Sequence, residues 1–333
     1  MKAIFVTDQK SNINYVYPAK TQEYLIQTVG CCPDCYSKED ILSKRDQFTD
    51  TEYIFSTWGM AVLSEDEIRE IFPALKCVFY AAGTVQYFAR PFLNCGVKVF
   101  SAWAANAVPV AEYTVAQIIL ANSGFFKTSL LASNGNYNAA REEFSKYRGN
   151  YGADIGIIGA GMIGKLVIKM LKPYHLNVMV FDPFLPEETA RELGVKKVSL
   201  QEIFSKCDVI SNHLANNEQT KGMLNADLFR HMKPYATLLN TGRGAQIVEK
   251  DLQDLLEKRP DIVAVLDVTD PEPPVSGSRF YSASNCILTP HIAGSSGDEV
   301  HRMAEYMVRE YQCFVENRPC QYEVTLKMLE TMA

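Results

Sequence analysis

Three side chains stand at places where they can do chemistry: Arg243, Glu272 and His291 each follow a short apolar run that reads as a β-strand. Arg243 sits in Asn240-Thr241-Gly242-Arg243-Gly244, directly after the predicted strand Thr237 to Leu239. A guanidinium opened up by flanking glycines can hold a carboxylate by a two-point fork and polarise a neighbouring carbonyl, which a lysine does less well. Taken alone it also reads as a surface salt bridge. Glu272, in Asp267-Val268-Thr269-Asp270-Pro271-Glu272-Pro273, follows the predicted strand Ile262 to Leu266 and taken singly is an exposed acid in a proline-rich loop. Of the five histidines, His175, His231 and His301 read as surface or packing residues, while His213 and His291 follow predicted strands. His291 is the stronger acid-base candidate because an arginine and an acid occupy equivalent strand ends, where open α/β sheets collect ligands.

A second group of residues points to a nucleotide. Gly159-Ala160-Gly161-Met162-Ile163-Gly164 lies between the predicted strand Ile155 to Ile158 and a helix whose apolar face includes Ile163, Val167 and Met170. In such a turn the first glycine permits the bend, the second lets a pyrophosphate approach the backbone, and the third lets helix pack on strand. Helix N-terminal amides then meet the phosphate charge. Asp182 ends the next predicted strand, Val178 to Phe181, at 182 − 159 = 23 residues from the first glycine. That is close to the ~20 at which an acid bonds the adenosine ribose, and a carboxylate there favours NAD over NADP. Gly159 to Lys165 also fits the start of a P-loop, but Leu166 stands where a metal-binding Ser or Thr is required.

The elements that must position these residues form two series. Lys2 to Thr7, Tyr53 to Ser56, Cys77 to Ala81 and Val97 to Phe100 read as strands separated by helices such as Ser64 to Ile71. From Pro109, suited to a first helical turn, Val110, Ala111, Thr114, Val115, Ile118 and Ile119 share one helical face. Residues 123–150, with Ser133-Asn134-Gly135-Asn136, read as a polar connecting excursion with little periodicity. Six further strands follow, at Ile155 to Ile158, Val178 to Phe181, Val209 to Asn212, Thr237 to Leu239, Ile262 to Leu266 and Ile287 to Leu288, and predict a doubly wound parallel sheet. A terminal helix carries the apolar stripe Val300, Met303, Ala304, Met307, Val308, Tyr311, Phe314 and Val315.

A length of 333 residues predicts about two domains. A net charge of −6 with no dense basic run argues against nucleic acid as a partner. The apolar start is too short for a signal peptide, and no run reads as the ~18 uncharged apolar residues of a membrane helix, so a cytoplasmic protein with no membrane partner is expected. Nine cysteines read as reduced interior thiols. In the cluster Cys31, Cys32 and Cys35, the last two have C-x-x-C spacing, suited to redox exchange or half a zinc site, but no second pair completes four ligands, and no metal is expected.

Together, Gly159 to Gly164 with Asp182, Met232-Lys233-Pro234 leading to Asn240 to Gly244, Asp267 to Pro273, and Thr289-Pro290-His291 resemble the D-isomer-specific 2-hydroxyacid dehydrogenase family. The resemblance covers nearly the whole chain. It implies a Rossmann NAD-binding domain, 105–297, inserted into a flavodoxin-like α/β substrate domain, 1–104 and 298–333. It further implies a catalytic set falling on Arg243, Glu272 and His291. NAD contacts would come from Gly159, Gly161, Met162, Ile163, Gly164, Asp182, Leu214, Ala215, Thr241, Gly242 and Asp267. Family members commonly have proline where this chain has Ala215. The loop Ala82, Gly83 and Thr84 resembles the segment whose backbone amides bind the substrate carboxylate, and Arg243 would share that work. The reaction implied is hydride transfer between NAD(H) and a 2-oxo or D-2-hydroxy acid by a homodimer, with His291 moving the proton. Trp58, Met60, Tyr80 and Trp103 are candidates either for the substrate pocket or for the core. Two alternatives share the resemblance: a formate-dehydrogenase-like enzyme, in which glutamine pairs with the histidine, and a corepressor-like NAD(H)-binding interaction protein with little turnover.

Overall fold

The computed structural model describes residues 2–330. They form two compact units, one made by the chain up to Asn106 and again from Ser295, the other by Ala107–Gly294. The sequence places the divisions after 104 and 297.

In the first unit, β1 (Ala3–Val6), β2 (Cys31–Tyr36), β3 (Tyr53–Ser56), β4 (Cys77–Tyr80) and β5 (Lys98–Ser101) run parallel in the order β2-β1-β3-β4-β5. Glu323–Val324 adds an antiparallel edge beside β5. β1, β3 and β4 are buried along their whole length and therefore read as continuous apolar runs. Ile4, Ile54 and Val78 enter one core, while Phe5, Phe55, Phe79 and Phe100 enter the other with Met303, Met307 and Tyr311 of the helix Val300–Val315. Of the expected stripe of that helix, Val300, Met303, Ala304, Met307 and Tyr311 are buried, Val308 and Phe314 half-buried, and Val315, at its end, exposed.

β2 is the strand that its cysteines conceal. Side chains alternate across a strand, so an odd spacing parts them. Cys31 and Cys35 pack on the core of Phe5 and Tyr17, and Cys32 packs on the core of Ile4 and Tyr36. The C-x-x-C pair therefore faces opposite sides of the sheet. Burial pushes the Cys35 thiol up to about 11 and raises Cys31 as well, so both stay protonated. Among the described residues no group of three or more His, Cys, Asp or Glu is placed to hold a metal.

The second unit is a parallel sheet of β6 (Asp154–Ile158), β7 (Asn177–Phe181), β8 (Lys196–Lys197), β9 (Val209–Asn212), β10 (Thr237–Asn240), β11 (Val263–Leu266) and β12 (Cys286–Leu288). Its order, β12-β11-β10-β9-β6-β7-β8, reverses between β6 and β9. This is the doubly wound Rossmann arrangement, with its ligand crevice at the reversal. The six expected strands are present. β8 adds a seventh, too short and too charged to carry an apolar signal.

Three expectations are corrected. The helix expected from Pro109 runs from Trp103 to Asn122 and holds Pro109 in its interior, where the carbonyl one turn earlier loses its donor. That helix is also long and apolar enough by composition to cross a membrane, contrary to the sequence reading, although half of it is buried inside the protein. Residues 123–150 hold two helices, Phe125–Ser133 and Tyr137–Phe144, with Ser133 to Asn136 at the turn between them. Glu143, buried in the second of these helices, accepts Lys127 and Lys146, a polar pairing that apolar periodicity does not register.

Candidate functional site

The neighbouring strands β10, β11 and β12 carry Arg243, Glu272 and His291 just past their carboxyl ends. His291 Nδ1 lies 2.8 Å from Glu272 Oε1. An ionised carboxylate only accepts, so Nδ1 carries the proton and Nε2 is the nitrogen left to exchange one with a ligand. His291 has a backbone φ of 54°, in the left-handed region that few residues other than glycine enter. Its N–H donates to the carbonyls of Asp267 and Thr289, each at 3.0 Å. The buried Asp267 carboxylate fixes the rest of this loop, accepting Thr289 Oγ1 at 2.6 Å, Ile292 N–H at 2.8 Å and Ala293 N–H at 2.9 Å. Resemblance assigns Asp267 to the nucleotide, and the geometry gives it a loop to hold.

Arg243 is half-buried, and burial pulls its guanidinium down from the ordinary value while the Glu272 carboxylate opposes that shift. Its Nη1 donates to the Gly242 carbonyl at 2.7 Å. Beneath it lies a network that the sequence reading missed. Asn240 Oδ1 accepts Gly242 N–H at 3.1 Å and Asn212 Nδ2 at 2.9 Å, while its Nδ2 donates to the Arg243 carbonyl at 3.0 Å. Gln246 Oε1 accepts Arg243 N–H at 3.1 Å and also Asn212 Nδ2, and Gln246 Nε2 donates to the Leu214 carbonyl at 2.7 Å. All three amides are fully buried. The available signal was a polar residue at the edge of an apolar run, Asn212 ending β9 and Gln246 before Ile247-Val248. Gly244 completes the loop, because a Cβ there would lie 2.0 Å from the Thr269 backbone.

The glycine turn follows β6. Gly159 has φ +90°, and a Cβ on it would come within 2.8 Å of the His213 carbonyl oxygen. A Cβ on Gly164 would meet the Gly159 carbonyl at 2.1 Å, whereas one on Gly161 meets nothing within 4 Å. The middle glycine thus borders open space at the start of the helix Met162–Leu171, whose first-turn amides lack intrahelical acceptors. Met162 is exposed there and Ile163 half-buried. Asp182 Oδ2 accepts Ala160 N–H at 2.7 Å and its Oδ1 accepts Phe184 N–H at 2.8 Å. The carboxylate therefore braces the turn. Ala215, standing where proline is usual, has its carbonyl held by Thr220 Oγ1 at 2.6 Å. Thr241 Oγ1 pairs with Thr114 Oγ1 at 3.2 Å. Open space at Gly161, free helix amides and a carboxylate at the end of β7 fit an adenine dinucleotide.

His213, the other histidine at a strand end, is differently placed. Its Nε2 lies 2.9 Å from Ser211 Oγ, and its Nδ1 is buried with no hydrogen-bond partner among the described residues. Burial lowers its pKa from 6.5 to about 4, which keeps the ring neutral.

In the first unit, the loop after β4 is held by its carbonyls. Ser101 Oγ lies 2.8 Å from the Ala82 oxygen and 2.7 Å from that of Gly83, and Thr57 Oγ1 donates to Ala81 at 2.8 Å. The N–H groups of Gly83 and Thr84 are left without a protein acceptor among the described residues. Asn106, not singled out from sequence, brings its Nδ2 within 3.8 Å of where a Gly83 Cβ would stand. Met60 and Tyr80 belong to the core, Trp103 is half-buried against Tyr322, and Trp58 is exposed.

Residues 115–293 match the sequence pattern of the NAD binding domain of the D-isomer specific 2-hydroxyacid dehydrogenases. A D-3-phosphoglycerate dehydrogenase of Bacillus subtilis is 30% identical over 231 residues, which is 69% of this chain and 43% of that protein. The chain thus spans less than half the length of the phosphoglycerate dehydrogenase it matches. A glyoxylate reductase of Korarchaeum cryptofilum is 27% identical over 250 residues, covering 74% of this chain and 75% of the relative. Among solved structures, apo D-mandelate dehydrogenase of Rhodotorula graminis superposes with a TM-score of 0.81 at 18% identity over 97% of each chain. A D-2-hydroxyisocaproate dehydrogenase does so with a TM-score of 0.77 at 19% identity, over 98% of this chain and all of the other.

Two expectations about stability follow from the buried polar groups. The unfolded chain protonates His213 near 6.5 and the folded chain only near 4, so between these values unfolding takes up a proton and acid weakens the fold. Going from pH 7 to pH 5 costs about 2 kcal/mol through this one group. Urea unfolding at both pH values shows that loss in the native sequence and a smaller loss in His213→Gln; equal losses would contradict the assignment. Gln246→Leu strands the Arg243 N–H, the Leu214 carbonyl and Asn212, each at a cost of about 1–3 kcal/mol. A double-mutant cycle with Asn212→Leu returns a coupling of about 1 kcal/mol or more.

Proposed function

The chain belongs to the D-isomer-specific 2-hydroxyacid dehydrogenase family, and from that membership we propose that it interconverts a 2-oxo acid and a D-2-hydroxy acid with NAD(H). The observation that carries the proposal is the 2.8 Å His291–Glu272 pair on the strand ends beside Arg243. The glycine turn Gly159 to Gly164, with Asp182, Leu214, Ala215, Thr241 and Gly242, would hold the dinucleotide. Bound there, NADH supplies the hydride that reduces the carbonyl carbon. The Arg243 guanidinium takes the substrate carboxylate with its fork and polarises the carbonyl. Protonated His291 gives its Nε2 proton to the forming alkoxide, and Glu272 stabilises the imidazolium through Nδ1. In the reverse direction His291 takes the hydroxyl proton. Glutamate rather than glutamine beside the ring favours hydroxy-acid over formate chemistry.

The proposal extends to a homodimer. Phe125 and Leu130, on one helix of the 125–144 hairpin, and Tyr137 and Phe144, on the other, are 41–63% exposed, an apolar surface suited to a second copy. Light scattering coupled to gel filtration then gives about twice the chain mass, and Tyr137→Glu with Phe144→Glu gives one chain mass. A native protein eluting at one chain mass would refute the dimer.

His291→Ala should lose about two to four orders of magnitude in turnover while still quenching NADH fluorescence on binding. Glu272→Gln removes the anion facing His291 Nδ1 at 2.8 Å, so turnover falls while NADH binding is retained. Unchanged turnover in His291→Ala removes this residue from the chemistry. NADH binding with only trace turnover of any 2-oxo acid would instead support an interaction protein.

A further inference from the structure

Resting on the activity proposed above, we infer that the 2-oxo acid carries a large apolar side chain, preferably an aromatic one, received by Trp58, Tyr15 and Tyr87 of the first unit. Ser56 of β3 pairs with Tyr80 of β4, and Trp58 and Ala82 each lie two residues beyond that pair. Trp58 and the loop with the unpartnered Gly83 and Thr84 amides therefore both follow the carboxyl ends of adjacent strands. Its ring is 37% exposed and stacks on Tyr15, itself 45% exposed, with centroids 6.4 Å apart and planes at 27°. Tyr87 is 45% exposed as well, and its hydroxyl meets that of Tyr80 at 3.1 Å and the Met60 backbone.

These rings are held in place although they face solvent. The Trp58 carbonyl accepts Thr7 Oγ1 at 2.8 Å and Asn12 Nδ2 at 2.9 Å, and the next carbonyl, of Gly59, accepts Asp8 N–H at 2.8 Å. The Tyr15 hydroxyl accepts Gly297 N–H at 2.9 Å. Fixed aromatic faces cost little ordering entropy when a ligand covers them, and they offer a ring both area and edge-to-face contact.

The same loops are poor for a phosphorylated substrate. Residues 57–64 and 81–88 contain neither Lys nor Arg, and Asp8 adds a negative charge after β1. Lys38 points its ammonium at the Val62 carbonyl, and Lys10 lies toward Cys35 on the edge strand. A small acid such as glyoxylate satisfies the loop amides but leaves the rings uncovered.

The test is NADH oxidation by the purified full chain with phenylpyruvate, glyoxylate and 3-phosphohydroxypyruvate. Phenylpyruvate should exceed both others in kcat/KM by about tenfold or more. Trp58→Ala should lower the phenylpyruvate-to-glyoxylate ratio by about tenfold, chiefly through KM, with Trp58→Phe retaining most of it. Tyr15→Ala, at a half-exposed position that threatens folding less, should move the ratio the same way. Preference for glyoxylate or the phosphorylated acid, or an unmoved ratio in both alanine variants, overturns the substrate class and leaves the proposed reaction standing. Failure to reduce any 2-oxo acid despite NADH binding overturns both.

Discussion

One buried carboxylate governs the geometry of the strand ends that bring Glu272 and His291 together. Asp267 sits just after β11 with its side chain shut off from solvent, a costly place for a charge unless its oxygens are well supplied with donors. The loop after β12 supplies them, from one hydroxyl and two backbone amides. In return that loop is drawn into a conformation it would not adopt alone, with His291 in the left-handed region. The imidazole is thereby presented to Glu272 from a different strand end. Preorganisation here comes from backbone held by a buried charge more than from packing of the histidine itself, which stays exposed.

The arginine side of the site uses another means to the same end. Among the described residues no ion pair holds the loop after β10; three neutral amides do, and each satisfies groups on two segments at once. Asn212 belongs to β9, Asn240 to β10 and Gln246 to the turn beyond Arg243. Neutral amides avoid the desolvation penalty of charges while fixing direction, which suits a position directly under a cation. Gly244 lets two strand-end loops touch backbone to backbone, so the Arg243 loop and the loop leading to Glu272 are set against each other.

Much of this was legible in the sequence, for physical reasons. Strands buried on both faces announce themselves by their short apolar cores, and β3 and β9, polar only toward their ends, fall at their expected bounds. A glycine that must pass within van der Waals distance of a neighbouring carbonyl leaves a fixed spacing, so Gly159, Gly161 and Gly164 were readable as a turn. What was hidden is polar or irregular. β2 carries Pro33 and Asp34 at a break in its register with β1 and reads as a cysteine cluster. The helices of 125–144 are organised around a buried glutamate between two lysines. The amide network escaped because single Asn and Gln residues reveal nothing about partners on other segments. Asp267 could be seen as significant, but its hydrogen bonds to a loop over twenty residues away could not.

The double engagement of Asp182 bears on how the coenzyme specificity of this fold can be re-engineered. Exchanging that acid for a small neutral residue to admit a 2′-phosphate would also strip the Ala160 and Phe184 amides of their acceptor. A redesigned chain would have to supply a substitute acceptor, such as a serine or asparagine oxygen at the same height, before any added arginine could improve selectivity. If Asp182 takes the role proposed for it, choice of dinucleotide and rigidity of the glycine turn rest on one side chain.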